Sequence, residues 1–267
     1  MPRYDAVICD IDGCLGPEEH GPLDADLLAE VAAYNRLAHE RGDRPVVTLC
    51  SGRPLPYAEA IARLIGVRTL PVVCEMGVWL WHADTNRFDR DPRITPEHGR
   101  AVHEAQEWIE AIYGMSNPRG PVSQQPGKAC SISLYHPDTA YLKGLEPELE
   151  AEIARRGWPF RVSSTWHWIN IDLKHVSKAS GIERLLAHTG LAPERLAGIG
   201  DTMGDMAIRE HVAFFACPAN ADDRLKGHAD FVSAAVEIEG VLEILRGLVG
   251  PVAPAGGRPP SNPDGRG

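Results

Sequence analysis

Long apolar runs are missing from this chain: no stretch approaches the 18 consecutive apolar residues of a membrane-spanning helix. The N-terminus has neither a basic n-region nor an extended apolar segment behind it. The expectation is therefore a soluble, cytoplasmic protein with no membrane partner. Positive charge is also scarce. Lys and Arg number 27 against 37 Asp and Glu, a formal charge of −10. Such a surface repels nucleic acid in general, so an anionic substrate must find a local basic patch. None of the six cysteines (Cys9, Cys14, Cys50, Cys74, Cys130, Cys217) falls in a C-x-x-C spacing, and several lie inside predicted strands. They read as small apolar core residues in a reducing compartment, not as disulfides or zinc ligands. No internal repeat is found.

What is present begins at Val7-Ile8-Cys9, a short apolar run that breaks into Asp10-Ile11-Asp12-Gly13. A buried run ending in turn chemistry predicts the first central strand of an α/β sheet. Its two carboxylates then sit at the C-terminal edge, where open parallel sheets place their ligand crevices. Helical spacing over residues 23–41, a strand over 45–50, a helix over 56–64 and a strand over 71–74 continue the pattern. This βαβαβ order predicts a doubly wound, Rossmann-like parallel sheet.

Around Asp84 the character changes. Residues 82–97 are polar and Pro-interrupted, and a helix is expected over 100–113 and a loop over 115–127. Residues 130–135 alternate as a strand with one buried face, 141–156 read as one helix, and 160–164 and 166–173 as two strands. These describe a smaller α+β unit inserted over residues 84–175. From residue 176 the first pattern resumes, with a helix capped by Ser180 and Glu183. Next come a strand over 196–200, a helix over 205–210, strands over 212–217 and 230–233, and a helix over 238–249. The core is thus expected over residues 1–83 and 176–250. A Pro/Gly/Ser-rich tail, expected to be disordered, covers residues 251–267.

Three predicted strands end in polar residues: Asp10 and Asp12, Ser51, and Asp201. As parallel neighbours they converge on one edge, where Asp10, Asp12, Asp201 and Asp205 place four carboxylates in one crevice. Such a cluster repels itself unless it takes up protons or a cation. An all-oxygen set without His or Cys favours Mg²⁺ over zinc. Lys178 lies just ahead of the expected Ser180 cap, where the helix dipole disfavours a cation by roughly 0.3–1 kcal/mol unless an anion faces it.

These residues resemble the haloacid dehalogenase superfamily of phosphohydrolases, in its Cof-type branch. Asp10-Ile11-Asp12-Gly13 is similar to the first motif, residues 48–53 (T-L-C-S-G-R) to the second, and Lys178 to the third. Residues 200–205 (G-D-T-M-G-D) are similar to the fourth, followed by Pro218-Ala219-Asn220-Ala221. Two positions depart from the pattern: Cys14 stands where Thr is usual, and Gly204 where Asn commonly precedes the last Asp. The resemblance implies a Mg²⁺-dependent phosphatase acting on a small phosphorylated metabolite, a sugar phosphate or phospho-organic acid. Asp10 would be the nucleophile and Asp12 the general acid and base. Asp10, Asp12 through its carbonyl, Asp201 and Asp205 would hold Mg²⁺. Ser51, Gly52, Lys178 and Asn220 would bind phosphate. Residues 84–175 would be the cap, with Lys128, His136, Trp166, Trp168 and Asn170, besides Arg87 and His167, as candidates for substrate selection. A phosphomutase of the same fold and a non-catalytic phosphometabolite-binding protein are the alternatives. A D-x-D metal site of a nucleotide-sugar transferase would leave Ser51 and Lys178 without a role.

Overall fold

The computed structural model describes residues 2–18 and 21–249; the tail expected over residues 251–267 lies outside them. The chain opens with β1 (Ala6–Cys9), α1 (Ala25–Arg41), β2 (Val46–Leu49), α2 (Leu55–Leu64), β3 (Pro71–Cys74), β4 (Trp79–His82) and β5 (Arg87–Arg90). It continues through α3 (Pro96–Tyr113), β6 (Ser123–Gln124), β7 (Ser131–Tyr135), α4 (Thr139–Gly144), α5 (Glu146–Arg156), β8 (Phe160–Ser164) and β9 (Trp168–Leu173). It closes with α6 (Lys178–Thr189), β10 (Leu196–Ile199), α7 (Met206–Arg209), β11 (Phe214–Cys217), α8 (Asp223–Lys226), β12 (Phe231–Val232) and α9 (Glu237–Gly247).

Five strands form a parallel sheet in the order β12-β11-β10-β1-β2. All four residues of β1 are buried because both of its faces are covered. Val7 and Cys9 join the core made with Leu28 of α1, Ile61 of α2 and Val241 of α9. Ala6 and Ile8 join the opposite core, with Ile182 and Leu185 of α6 and Ile208 of α7. Each aliphatic side chain fully buried in this way contributes about 1.5–3 kcal/mol. Ile8 lies level with Thr48 of β2 and Gly198 of β10, so the three strands end together at one edge.

The sheet β6-β7-β9-β8 is antiparallel. One face packs Ile132, Leu134, Ile169 and Ile171 against Val102, Ile109, Leu142 and Leu149 of α3, α4 and α5. On the other face Ser133 lies opposite Asn170, and Ser131 opposite Asp172. Sequence alternation makes this second face wet. Ser131, Ser133 and Asp172 are nevertheless buried; the Ser131 hydroxyl donates to Glu75 Oε1, just after β3, at 3.0 Å.

Four differences from the expected elements matter most for the site. Residues 79–90 form a hairpin, β4 with β5, where a polar connection is expected from residue 82. The charges of Arg87, Asp89 and Arg90 sit on an edge strand open to solvent and hide its β character. The third strand, β3, pairs with β4 and touches the parallel sheet through one bridge, Cys50 with Val73. The single helix expected over 141–156 is two, α4 and α5, with Pro147 in the first turn of the second. Proline has no amide hydrogen to continue a helix and is tolerated only in such a first turn. Finally, α6 is capped by Ser177, with Ser180 as its reciprocal partner, which makes Lys178 the first helical residue. The inward position of the polar Lys178 delays the apolar periodicity and shifts the apparent start.

Among the described residues no helix is long and apolar enough to cross a membrane. All six cysteines are buried and free.

Candidate active site

Because β10, β1 and β2 are parallel and in register, the residues that follow them meet. The Asp10 amide donates to the Ile199 carbonyl at 3.0 Å and the Cys50 amide to the Cys9 carbonyl at 2.9 Å, extending the ladder to the crevice. Beyond Asp10 the chain curls so that the Ile11 carbonyl accepts the amides of Cys14, Leu15 and Gly16 at 3.2, 2.8 and 2.9 Å. Gly13 closes this turn at φ +70°, and a Cβ there would fall 1.9 Å from Asp201 Oδ2. Glycine alone supplies both the left-handed backbone and the space. Asn220, after β11, braces the same turn: its Nδ2 donates to the Gly13 carbonyl at 2.9 Å and its Oδ1 accepts the Glu237 amide at 2.7 Å.

Asp10, Asp201 and Asp205, all buried, bring carboxylate oxygens within 4.8 Å of one another. Lys178 enters this group from the first turn of α6. Its amine lies 2.8 Å from Asp10 Oδ2 and 2.7 Å from Asp205 Oδ1. Asp205 Oδ2 accepts the amides of Asp201 and Thr202 at 3.1 and 3.0 Å, so this carboxylate also shapes the loop after β10. Asp10 Oδ1 and both Asp201 oxygens are buried with no hydrogen-bond partner. Orphaned carboxylate oxygens, three acids against one ammonium, and an all-oxygen donor set together fit a small hard divalent cation.

Electrostatics say the same. Burial pushes the Asp10 carboxyl up to about 7; Lys178 pulls it down, while Asp205 and Asp12 push it further up. Asp201 is lifted well above the usual carboxylate range by burial, then by Asp205 and Asp10. For Lys178 burial opposes the charge, but Asp10 and Asp205 outweigh it and hold the amine protonated. Glu18, at the cavity rim, is pushed up to about 8 by burial and by Asp12 and Asp10.

Asp12 stands apart. Arg53 Nε lies 2.9 and 2.8 Å from its two oxygens and Nη2 lies 2.6 Å from Oδ1. The Arg53 guanidinium also sits over the rings of Tyr57 and Trp168, 4.8 and 5.8 Å from their centroids. The expected crevice of four carboxylates is therefore one of three, because a planar fork on the loop after β2 offers Asp12 a bidentate partner. Its carboxylate is not a member of the buried acidic cluster; its carbonyl stays a candidate ligand.

A cavity of about 520 Å³ opens over this edge. Asp10, Asp12, Ser51, Gly52 and Lys178 line one side of it, and Lys128, Trp166, Trp168 and Asn170 of the antiparallel unit also face it. Two expected members are placed elsewhere. Asn220 does not line the cavity, and its amide is spent on bracing the Gly13 turn. His136 is buried, with Nε2 against the Arg119 carbonyl at 2.9 Å and Nδ1 accepting the Asp138 amide at 3.0 Å. Arg87, paired with Asp89 on β5, and His167 also lie outside the lining. Sequence reasoning misses Glu18, Ser133, Lys143 and Arg224, which do line it. Of these only Ser133 carried a signal, as the polar partner of Ile132 and Leu134 in an alternating strand. The role of Arg53 was also missed, although it closes the second motif.

Comparison with known proteins agrees with this geometry. The sequence model of the haloacid dehalogenase-like hydrolases matches residues 94–245. A phosphoglycolate phosphatase of Methanothermobacter thermautotrophicus is 35% identical over 245 residues, covering 92% of this chain and 99% of its own. One from Thermoplasma volcanium is 28% identical over 232 residues, covering 85% and 91%. A haloacid dehalogenase-like hydrolase from Bacteroides thetaiotaomicron superposes with a TM-score of 0.67 at 16% identity, over 92% of this chain and 99% of that one. Motif order, sheet topology and these matches converge: the chain belongs to the haloacid dehalogenase-like hydrolases and is a phosphohydrolase of that superfamily.

Proposed function

We propose that the cavity hydrolyses a small phosphorylated metabolite through an aspartyl-phosphate on Asp10. The observation that carries this reading is the Asp10 carboxylate itself. One of its oxygens is fixed by Lys178 and the other is buried without a partner, beside Asp201 and Asp205. Asp10 attacks phosphorus as the ester P–O bond breaks, and Asp12 gives its proton to the leaving oxygen. Water then attacks the acyl phosphate, its proton passes to Asp12, and the Asp10 carboxylate is restored. Ser51, Lys178 and the Gly52 amide hold the phosphoryl oxygens while charge develops on them. Asp10, Asp201, Asp205 and the Asp12 carbonyl would hold Mg²⁺, which when bound neutralises the nucleophile and the phosphoryl oxygens.

The antiparallel unit, β6 to β9 with α3, α4 and α5, acts as a cap that excludes water and contacts the leaving group; it begins after the β4–β5 hairpin and not at residue 84. The relatives named above are phosphoglycolate phosphatases, so phosphorylated organic acids are the first substrates to assay, ahead of sugar phosphates. Inorganic phosphate release from 2-phosphoglycolate and p-nitrophenyl phosphate is measured with Mg²⁺ for wild type and Asp10→Asn. Release by wild type alone is expected. Equal rates for both proteins would remove Asp10 from the reaction, and an isomeric ester formed without free phosphate would replace hydrolysis by transfer within the substrate.

A further inference from the structure

The cavity wall supplied by the antiparallel sheet holds a positive charge that hydrolysis of the phosphate does not use. Lys128, just before β7, donates from Nζ to Ser133 Oγ at 2.5 Å, and Ser133 Oγ donates to Asn170 Oδ1 at 2.5 Å. Among the described residues this neutral hydroxyl is the only side chain bonded to the ammonium. Asn170 Nδ2 has no protein acceptor among them. Burial pushes the Lys128 amine down, and Asp172 and Glu75 pull it back only in part. An ammonium held in a cavity against a neutral acceptor is poorly compensated, and an anion arriving there gains a charge-assisted bond in place of a neutral one.

The position of Lys128 is set from the other unit. Glu75 Oε1 accepts the amides of Ala129 and Cys130 at 2.8 and 2.7 Å and the Ser131 hydroxyl at 3.0 Å. Glu75 is fully buried, and it and Met76 keep left-handed backbone, with φ of 49° and 55°. Residues of this kind cost of order 1–3 kcal/mol and persist where surrounding contacts demand them. Here the contact they provide fixes the three residues that follow Lys128, and so aims the lysine at the cavity that Asp10 also lines.

We propose that Lys128, with Ser133 and Asn170, is the specificity-determining subsite for a second anionic group on the substrate, a carboxylate, so that the ester hydrolysed is a phosphorylated acid. This rests on the phosphohydrolase reading above and narrows it. A carboxylate reaching the wall takes the Lys128 ammonium from Ser133, and Asn170 Nδ2 is placed to donate to its second oxygen.

The test compares 2-phosphoglycolate, ethyl phosphate, which has the same length without the carboxylate, and a hexose bisphosphate. For wild type, kcat/KM for phosphoglycolate is expected to exceed that for ethyl phosphate at least 100-fold. Lys128→Met, which keeps an unbranched stem, should cut that ratio to within tenfold, chiefly through KM. An unchanged ratio overturns the subsite. A bisphosphate preferred over phosphoglycolate, with that preference lost in Lys128→Met, overturns the carboxylate and assigns a second phosphate. The same three esters are titrated by calorimetry into Asp10→Asn and into the double variant with Lys128→Met, both in Mg²⁺. If wild type releases phosphate from none of the esters, the hydrolase reading fails and the calorimetric ratios alone decide on the subsite.

Discussion

The Arg53 guanidinium grips the Asp12 carboxylate through three contacts of 2.6–2.9 Å, joining the loops that follow the neighbouring strands β1 and β2. Arg53 therefore holds in place the one acidic group of the first motif that stays out of the buried cluster. Proton transfer by a positioned group contributes about 10²–10⁴-fold. It matters most where the leaving group is a poor one. Arg53→Met should lower kcat/KM about 100-fold for an alkyl phosphate and less than tenfold for p-nitrophenyl phosphate. A series of esters of rising leaving-group pKa measures this directly, and an equal loss across the series would deny Arg53 a role in setting Asp12.

The buried Asp10 carboxyl links stability to pH in the sense opposite to a salt-bridged surface acid. Its pKa rises from 3.8 in the unfolded chain to about 7 in the fold. The native state therefore binds more protons than the unfolded one between these values. Stability from this group is fully present below pH 3.8 and is lost as pH rises through about 7. In the metal-free protein the difference between pH 5 and pH 7.5 should exceed that of Asp10→Asn. Mg²⁺ must displace the same proton, so calorimetric titration in two buffers of different ionisation enthalpy should show proton release near pH 6.5. Buffer-independent heats would contradict this.

Gly13 bears on the buried acidic cluster through space alone. A methyl group there meets Asp201 Oδ2 at 1.9 Å on a backbone at φ +70°. Gly13→Ala must therefore open the turn or push Asp201 away from Asp10. We expect Mg²⁺ affinity to fall at least tenfold and kcat at least 100-fold, on the scale that ångström misplacement of catalytic groups costs. Both are read from the Mg²⁺ dependence of turnover, while thermal unfolding tests whether the fold survives.

Glu75, just after β3, ties the segment leading into β7 to its own unit with one carboxylate oxygen. Removing that acceptor costs about 1–3 kcal/mol for each donor left buried and unpaired. Glu75→Ala is expected to lower the urea midpoint and to speed hydrogen exchange at residues 129–131 selectively. Unaltered exchange there, with stability reduced elsewhere, would show that the tie does not hold the segment.

Much of this protein was written in its sequence in a form that short-range rules can read. The apolar runs ending at Cys9, Leu49 and Ile199 are nearly continuous because parallel strands are buried on both faces. That pattern determined the core, its edge, and the meeting there of Asp10, Ser51 and Asp201. Tertiary structure decided the rest. The β4–β5 hairpin was hidden because an edge strand in solvent needs no apolar alternation. Ser131, on the polar face of β7, is buried against Glu75, 56 residues earlier in the chain. Asp12 left the acidic cluster for Arg53, and Asn220 turned to brace Gly13. Both outcomes depend on which partner lies within about 3 Å in the folded chain. Spacing along a sequence carries no such distance.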